Sequence, residues 1–256
     1  MSLLVLTILA LTGFASGFVD AIAGGGGLLT LSALALAGLD PVAAVATNKL
    51  AGTFGTASAT LAFARAGKIE ANMALAALAA CAGAILGALM LPYAPRALLS
   101  QALPFVLVGV ALYFAFAPTL GDAAPRQRLS PALYALTLAP AIGFYDGVFG
   151  PGAGSFYMIA LVVLVGLGII PAMAGARSSN FGSNFGALFV YAMSGHIVVA
   201  AGLAMGAGAF LGARLGARTA LKAGAWFVRL LIVVVSCAMA LRLMAAPGGP
   251  LAFIWK

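Results

Sequence analysis

The stretch GFVDAIAGGGG, which begins at Gly17, returns as GFYDGVFGPGAG from Gly143. Gly17, Asp20, Gly24 and Gly26 fall on Gly143, Asp146, Gly150 and Gly152 without a gap. Each copy sets an acid and a run of glycines inside an apolar stretch. In a bilayer, such an interruption is tolerated only where the freed backbone is buried in protein or lines a cavity. Paired interruptions in the two halves of a membrane chain point to a transporter's binding site. A chain built this way has to hold two broken helices against each other, and a duplicated membrane transporter is the class it implies.

Composition supports the bilayer. Of 256 residues 64% are hydrophobic and 7% charged, with a mean hydropathy of +1.16, whereas soluble domains carry roughly 25% charged residues. No segment is polar enough for an extramembrane domain. The net charge of +8 raises nucleic acid as a partner, but the basic residues sit singly or in pairs at the ends of apolar segments. There Lys and Arg set topology, so nucleic acid is set aside. Cys81 and Cys237 lie in apolar segments without ligand-like neighbours and read as packing residues, not as a disulfide or metal pair. The start, MSLLVLTILALTGF, lacks a basic leader region and reads as a retained membrane helix.

A membrane helix needs about 20 apolar residues. The expected segments are 2–23, a short piece 28–37 after the glycines, then 42–64, 71–91 and 97–117. A polar linker at 118–130 separates the first repeat, 1–117, from the second, 131–256. The second half runs 131–149, a break at Gly150 to Gly154, then 155–170, 172–193, 197–217 and 224–245. Further matches accompany the breaks: Thr47-Asn48-Lys49 with Ser178-Ser179-Asn180, Phe54-Gly55 with Phe185-Gly186, Gly67-Lys68-Ile69 with Gly195-His196-Ile197, and Gly83/Gly87 with Gly208/Gly212. The fold class is therefore an all-α polytopic membrane protein of two homologous halves, each of about four or five helical segments. Placing the loops at Arg65/Lys68, Arg126/Arg128 and Arg214/Arg218/Lys222 in the cytoplasm leaves Arg96, Arg242 and Lys256 outside. That split favours an inverted repeat over a parallel one. The glycine pairs allow close helix packing and carry no substrate information.

Ionisable groups inside membrane segments mark function by default. Asp20 and Asp146 precede the breaks, and Lys49 and Arg177 lie early in the long helix after each. Arg229, beside Trp226, reads as a side chain snorkelling to the interface, and His196 as a surface residue. Thr47 and Asn48 accompany Lys49, while Ser178, Ser179, Asn180 and Asn184 accompany Arg177. Arg177, Asn180 and Asn184 share one helix face, with Ser183 pointing elsewhere but able to help from a neighbouring turn. Cations with hydroxyls and amides make a donor-rich lining suited to an oxyanion. Helix starts at Gly24, Gly25, Gly26 and Gly27, and at Gly150, Gly152 and Gly154, would add free N–H groups and a partial positive charge. The alternative is that the breaks are packing kinks, with Lys49 and Arg177 neutralised by the two acids. Asp20 and Asp146 can pair with a cation, cap freed N–H groups or titrate as proton sites, and the first two readings are favoured. No nucleophile–base set, metal cluster or cofactor motif appears, and the GGGG run lacks the Lys-Ser/Thr of an ATP loop. Transport is then secondary, or the chain is an anion channel with the same lining. A sensor or assembly protein without flux, and an intramembrane enzyme, are weaker readings. Association of several copies is left open.

In GFVDAIAGGGGLL, GFYDGVFGPGAGSF, AVATNKLAGTFGT, AGARSSNFGSNFG and the Gly67-Lys68 turn, the chain resembles the TauE/SafE (TSUP) sulfite-exporter family over nearly its whole length. The resemblance implies a multi-pass transporter of the bacterial inner membrane that moves small sulfur-containing anions. Sulfite, thiosulfate, sulfoacetate and other organosulfonates are the substrate types it implies, with the glycine breaks and the polar helix starts as the site.

Overall fold

In a computed structural model, residues 1–91 and 127–245 are described. The expected segment 97–117, most of the polar linker, Arg96, Arg126 and the residues after 245 lie outside the described residues. Among the described residues the chain forms nine helices and no strand. They are α1 (Leu3–Ala23), α2 (Gly26–Leu36), α3 (Pro41–Arg65), α4 (Ala71–Met90), α5 (Pro131–Leu136), α6 (Leu138–Val148), α7 (Ala153–Val163), α8 (Ile169–Ser194) and α9 (Val199–Ala245).

Local chemistry sets the boundaries. Asp40 accepts from the N–H groups of Val42 and Ala43, and Pro41 takes the first turn of α3, where its missing donor costs nothing. Ser130 and Pro131 start α5 in the same way. The stretch expected as one segment, 131–149, is divided at Thr137 into α5 and α6. The expected piece 155–170 is shorter, because α7 stops at Val163 and Gly166 turns the chain into α8. At Gly224 (φ 76°, ψ −174°) the backbone leaves helical geometry inside α9, the boundary expected there between two segments.

The two glycine breaks are the tips of two helical hairpins. In the first, α2 folds back on α1, with the Ser16 hydroxyl donating to the Gly26 carbonyl at 2.8 Å. In the second, α7 returns towards the start of α5, where the N–H groups of Arg128 and Leu129 donate to the Leu164 carbonyl. The tips touch. A Cβ on Gly24 would stand 2.4 Å from the Gly154 carbonyl carbon, and the Ser155 hydroxyl donates to the Ala23 carbonyl at 2.8 Å.

Close glycine contacts fix the direction of the packed helices. Gly208, Gly212 and Gly216 of α9 rest on Ala10, Phe14 and Phe18 of α1, so these two run the same way. Gly202 and Gly206 of α9 meet Leu50 and Phe54 of α3, again in parallel. In the other group, Gly83 and Gly87 of α4 close on Pro140 and Phe144 of α6, and Gly182 and Gly186 of α8 on Ala77 and Cys81 of α4. Because α3 turns directly into α4 through 66–70, the set α1, α3, α9 runs opposite to α4, α6, α8. In the frame set by the two breaks, Phe14 stands where Pro140 stands. Gly83 and Gly87 thus match Gly212 and Gly216 by contact, one turn beyond the match drawn from sequence.

Three of the described helices are long and apolar enough to cross a membrane: Leu3–Ala23, Asn72–Met90 and Val199–Gly224. Their outward faces carry exposed leucines such as Leu4, Leu11, Leu78, Leu86 and Leu211, a surface suited to lipid. Helices α3 and α8 are as long, but the polar runs at 47–49 and 177–184 lie buried in their interior.

Candidate functional site

A narrow cleft lies where the hairpin tips meet the middle of α3, α8 and α9. It encloses about 480 Å³ of space, counting its open mouth. Of the residues expected at a site, Asp20, Gly24, Gly27, Asn48, Asp146, Gly150, Gly152, Gly154, Asn180 and Asn184 line it. Both breaks therefore reach one cavity.

The cations do not line it. Lys49 donates from Nζ to Oδ1 of Asp146 at 2.7 Å, and both side chains are almost wholly buried. Asp146 also accepts from the Ser183 hydroxyl, through Oδ2 at 2.6 Å. Arg177, fully buried, reaches Oδ2 of Asp20 at 3.1 Å, the Asp20 backbone carbonyl, and the Gly154 carbonyl at 3.0 Å. Its Nε has no partner among the described residues. The pairing is crossed: each acid of one break is held by the cation that follows the other. The two acids border the cleft and their two cations do not. Asp20 also accepts the Gly26 N–H through Oδ1 at 3.1 Å, so it pairs with a cation and caps α2 at once.

Amides supply the donors that remain. Asn184 donates from Nδ2 to the Asn180 carbonyl at 2.8 Å and to Oδ1 of Asn180 at 3.0 Å. Asn180, whose Oδ1 is taken by this bond, lines the cleft, and its NH₂ donates to no group among the described residues. Oδ1 of Asn48 is held by the Thr30 hydroxyl, and its Nδ2 lies beside Gly27. Gly27 and Gly154 stand in the first turns of α2 and α7, where N–H groups lack intrahelical acceptors. The cleft is thus bordered by residues of two helix starts and by asparagine side chains, beside two acids that are each paired with a buried cation.

The other expected residues lie elsewhere. Thr47 accepts from the Val198 N–H at 3.0 Å. Gly25 precedes α2 as its cap, and Gly26 packs against Ser16. Ser178 is buried off the cleft. Ser179 borders a second cavity of about 310 Å³ with Tyr134, and the two buried hydroxyls are neighbours there. His196 is exposed and contacts the Ser194 hydroxyl, and Cys81 and Cys237 are free thiols. Sequence reasoning missed Ser16, Gly17, Thr30, Ala51, Gly52, Gly55, Thr56 and Ala209, which also line the cleft. A signal was present in α3, where Asn48, Ala51, Gly52 and Gly55 are spaced i, i+3, i+4, i+7 and form one small-residue face continuing from Asn48. Among the described residues no group of three or more His, Cys, Asp or Glu could hold a metal.

The profile of the family described as "Sulfite exporter TauE/SafE" matches residues 9–243. A "Probable membrane transporter protein ORF9" of Sinorhizobium is 47% identical over 251 residues, covering 98% of this chain and 96% of that protein. The "Probable membrane transporter protein YfcA" of Escherichia coli strain K12 is 39% identical over 256 residues, covering 100% and 95%. A "Probable membrane transporter protein" of Haemophilus influenzae is 38% identical over 244 residues, covering 95% and 96%. No solved structure matches the chain. A profile match over nearly the whole length, full-length relatives named as membrane transporters, and two broken helices meeting at one cleft converge: the chain belongs to the TauE/SafE family and is a membrane transporter.

Proposed function

We propose that the chain is a multi-pass secondary transporter of the bacterial inner membrane for small sulfur-bearing anions: sulfite, thiosulfate or organosulfonates. It works by alternating access around the cleft, at the interface of two inverted repeats. The opposed directions of α1, α3, α9 and α4, α6, α8 support the inverted arrangement. The observation that carries the reading is the meeting of both hairpin tips at one cleft, with residues of two helix starts on its border and a buried cation paired with each acid. The name of the family profile supports the substrate class and outward movement.

The crossed pairs suggest how an anion enters a site faced by carboxylates. With both pairs intact the cleft is neutral overall, and an anion added to it would be an unpaired charge in a poorly solvated place, which costs several kcal/mol. Protonating Asp146 removes its charge and leaves the charge of Lys49, whose Nζ stands 2.7 Å from Oδ1, to offset that of the substrate from outside the cleft lining. With a singly charged anion the loaded site is then neutral again. One proton accompanies a singly charged anion such as hydrogensulfite, and export follows when the anion accumulates inside beyond what the proton gradient opposes. No ATP, cofactor or enzymatic step enters this cycle.

Reconstituted vesicles loaded with sulfite, thiosulfate, sulfoacetate, sulfate or chloride test it. The expected result is saturable efflux selective for one sulfur anion, with protons moving alongside it. Asp146→Asn should keep binding but lose the dependence of flux on pH. Non-saturable, unselective conductance would replace the carrier by an anion channel, and saturable flux without proton movement would remove the role of Asp146.

A further inference from the structure

A groove between α3 and α9, near the C-terminal end of α3, encloses about 400 Å³ including its open side. Its walls are Leu61, Ala62 and Phe210, and its rim carries Arg65, Arg214 and Arg218. The Ser58 hydroxyl, which also borders it, is used to bind the Phe210 carbonyl at 2.7 Å and so braces the two helices. The groove lies away from the substrate cleft, since Gly55 and Ala209 line the cleft while Ser58 and Phe210, further along the same helices, line the groove.

The three guanidinium groups are uncompensated among the described residues. Only two ion pairs occur there, Lys49–Asp146 and Arg177–Asp20, and neither involves the groove. Glu70 is the acid nearest to Arg65 along the chain, and it accepts from Asn72. Like charges gathered at one groove repel, most of all beside a low-dielectric membrane.

Packing does not demand them. The α4 stretch Gly83-Ala84-Ile85-Leu86-Gly87-Ala88-Leu89 reads like Gly212-Ala213-Arg214-Leu215-Gly216-Ala217-Arg218 of α9. Both use their glycines for close helix contact. Yet α4 has Ile85 and Leu89 where α9 has the two arginines, so the same contact forms without charge.

We propose that this groove is a binding site for an anionic phospholipid. The phosphate sits among Arg65, Arg214 and Arg218, and an acyl chain runs past Leu61, Phe210 and the exposed Leu211 and Leu215. Two facts argue for a lipid rather than a soluble anion: an apolar wall of Leu61, Ala62 and Phe210 beside the exposed Leu211 and Leu215, and the place of Arg65 at the end of the 25-residue α3. The fork-shaped donors suit phosphate oxygens from either source. Basic pockets between membrane helices on the cytoplasmic side bind phosphate headgroups by this chemistry.

The test is thermal unfolding of the full chain in neutral detergent with added phosphatidylglycerol, diphosphatidylglycerol, phosphatidylcholine or inorganic phosphate, at matched ionic strength. A ligand of the folded state raises the midpoint by mass action. The expected result is a rise with the anionic lipids, little with phosphatidylcholine, none with phosphate, and loss of most of the rise in Arg214→Gln/Arg218→Gln. Arg214→Lys/Arg218→Lys keeps the charge and should retain much of it, which separates lost binding from a damaged fold. Equal rises with phosphatidylcholine, an undiminished rise in the glutamine variant, or a rise with phosphate alone would each overturn the proposal. The last would replace it with a soluble-anion site.

Discussion

At the scale of single residues, the crossed ion pairs carry both stability and chemistry. Removing one partner of a buried pair leaves the other charge uncompensated and costs about 3–5 kcal/mol, whereas replacing both by apolar groups of similar size is often neutral or stabilising. Lys49→Met and Asp146→Leu should therefore each lower the melting midpoint of the purified protein. The double variant should recover most of the loss and still fail to transport. A double variant as unstable as the singles would mean that Ser183 and the backbone around Gly150 depend on the pair. That the two acids neutralise Lys49 and Arg177 was legible only as the alternative to cations open to substrate, and capping by Asp20 as one of three roles open to it. Which cation each would meet was not, because the crossing arises only when the two hairpins approach from different parts of the chain. Ser183 escapes sequence reasoning for a similar reason: it lies off the face shared by Arg177, Asn180 and Asn184, and Asp146 reaches it from another helix.

At the scale of elements, the hairpin tips set the tolerance of the site. Gly24 has φ +85° and sits against the backbone of Gly154 and Ser155, and the Arg177 guanidinium lies 2.9 Å from where an added methyl carbon would stand. Gly38 has nearly the same φ, +86°, but open space around it. Both would suffer the left-handed strain of roughly 1–2 kcal/mol on gaining a side chain. Only Gly24→Ala would also force the tips apart. Gly38→Ala should melt slightly earlier with flux intact, while Gly24→Ala should lose flux and far more stability. Equal losses in the two would show that tip contact is dispensable. Sequence located both breaks to within two residues, since the helices restart at Gly26 and Ala153, inside the expected glycine runs. It overlooked Thr30, Gly52, Gly55 and Thr56, since small residues inside a membrane helix look like packing until a cavity is found beside them. The glycine match between α4 and α9 slipped by one turn for a related reason: small-xxx-small spacing repeats along a helix, and contact alone chooses the register.

At the scale of the whole molecule, basic residues gather at one end of the bundle. Arg65, Arg214 and Arg218 share a groove. Asn72 at the start of α4 and Pro131 at the start of α5 border a common cavity, which brings Arg128 and Lys68 to that end as well. Lys and Arg accumulate on the cytoplasmic side. With Cys81 and Cys237 replaced by serine, a single cysteine at Lys68 should resist a membrane-impermeant maleimide in intact cells, and one at His196 should react. The opposite pattern would invert the orientation and place the basic groove outside. The crossed pairs also bear on synthesis. While the first half is already in the bilayer and the second still on the ribosome, Asp20 and Lys49 have neither of their final partners, so the nascent chain holds two buried charges that only its later half can match. Completion of the protein is thus recorded inside the membrane itself. A chain cut within the linker should therefore be cleared from cells faster than the full-length protein, and equal lifetimes in a pulse-chase would show that Asp20 and Lys49 settle without their later partners.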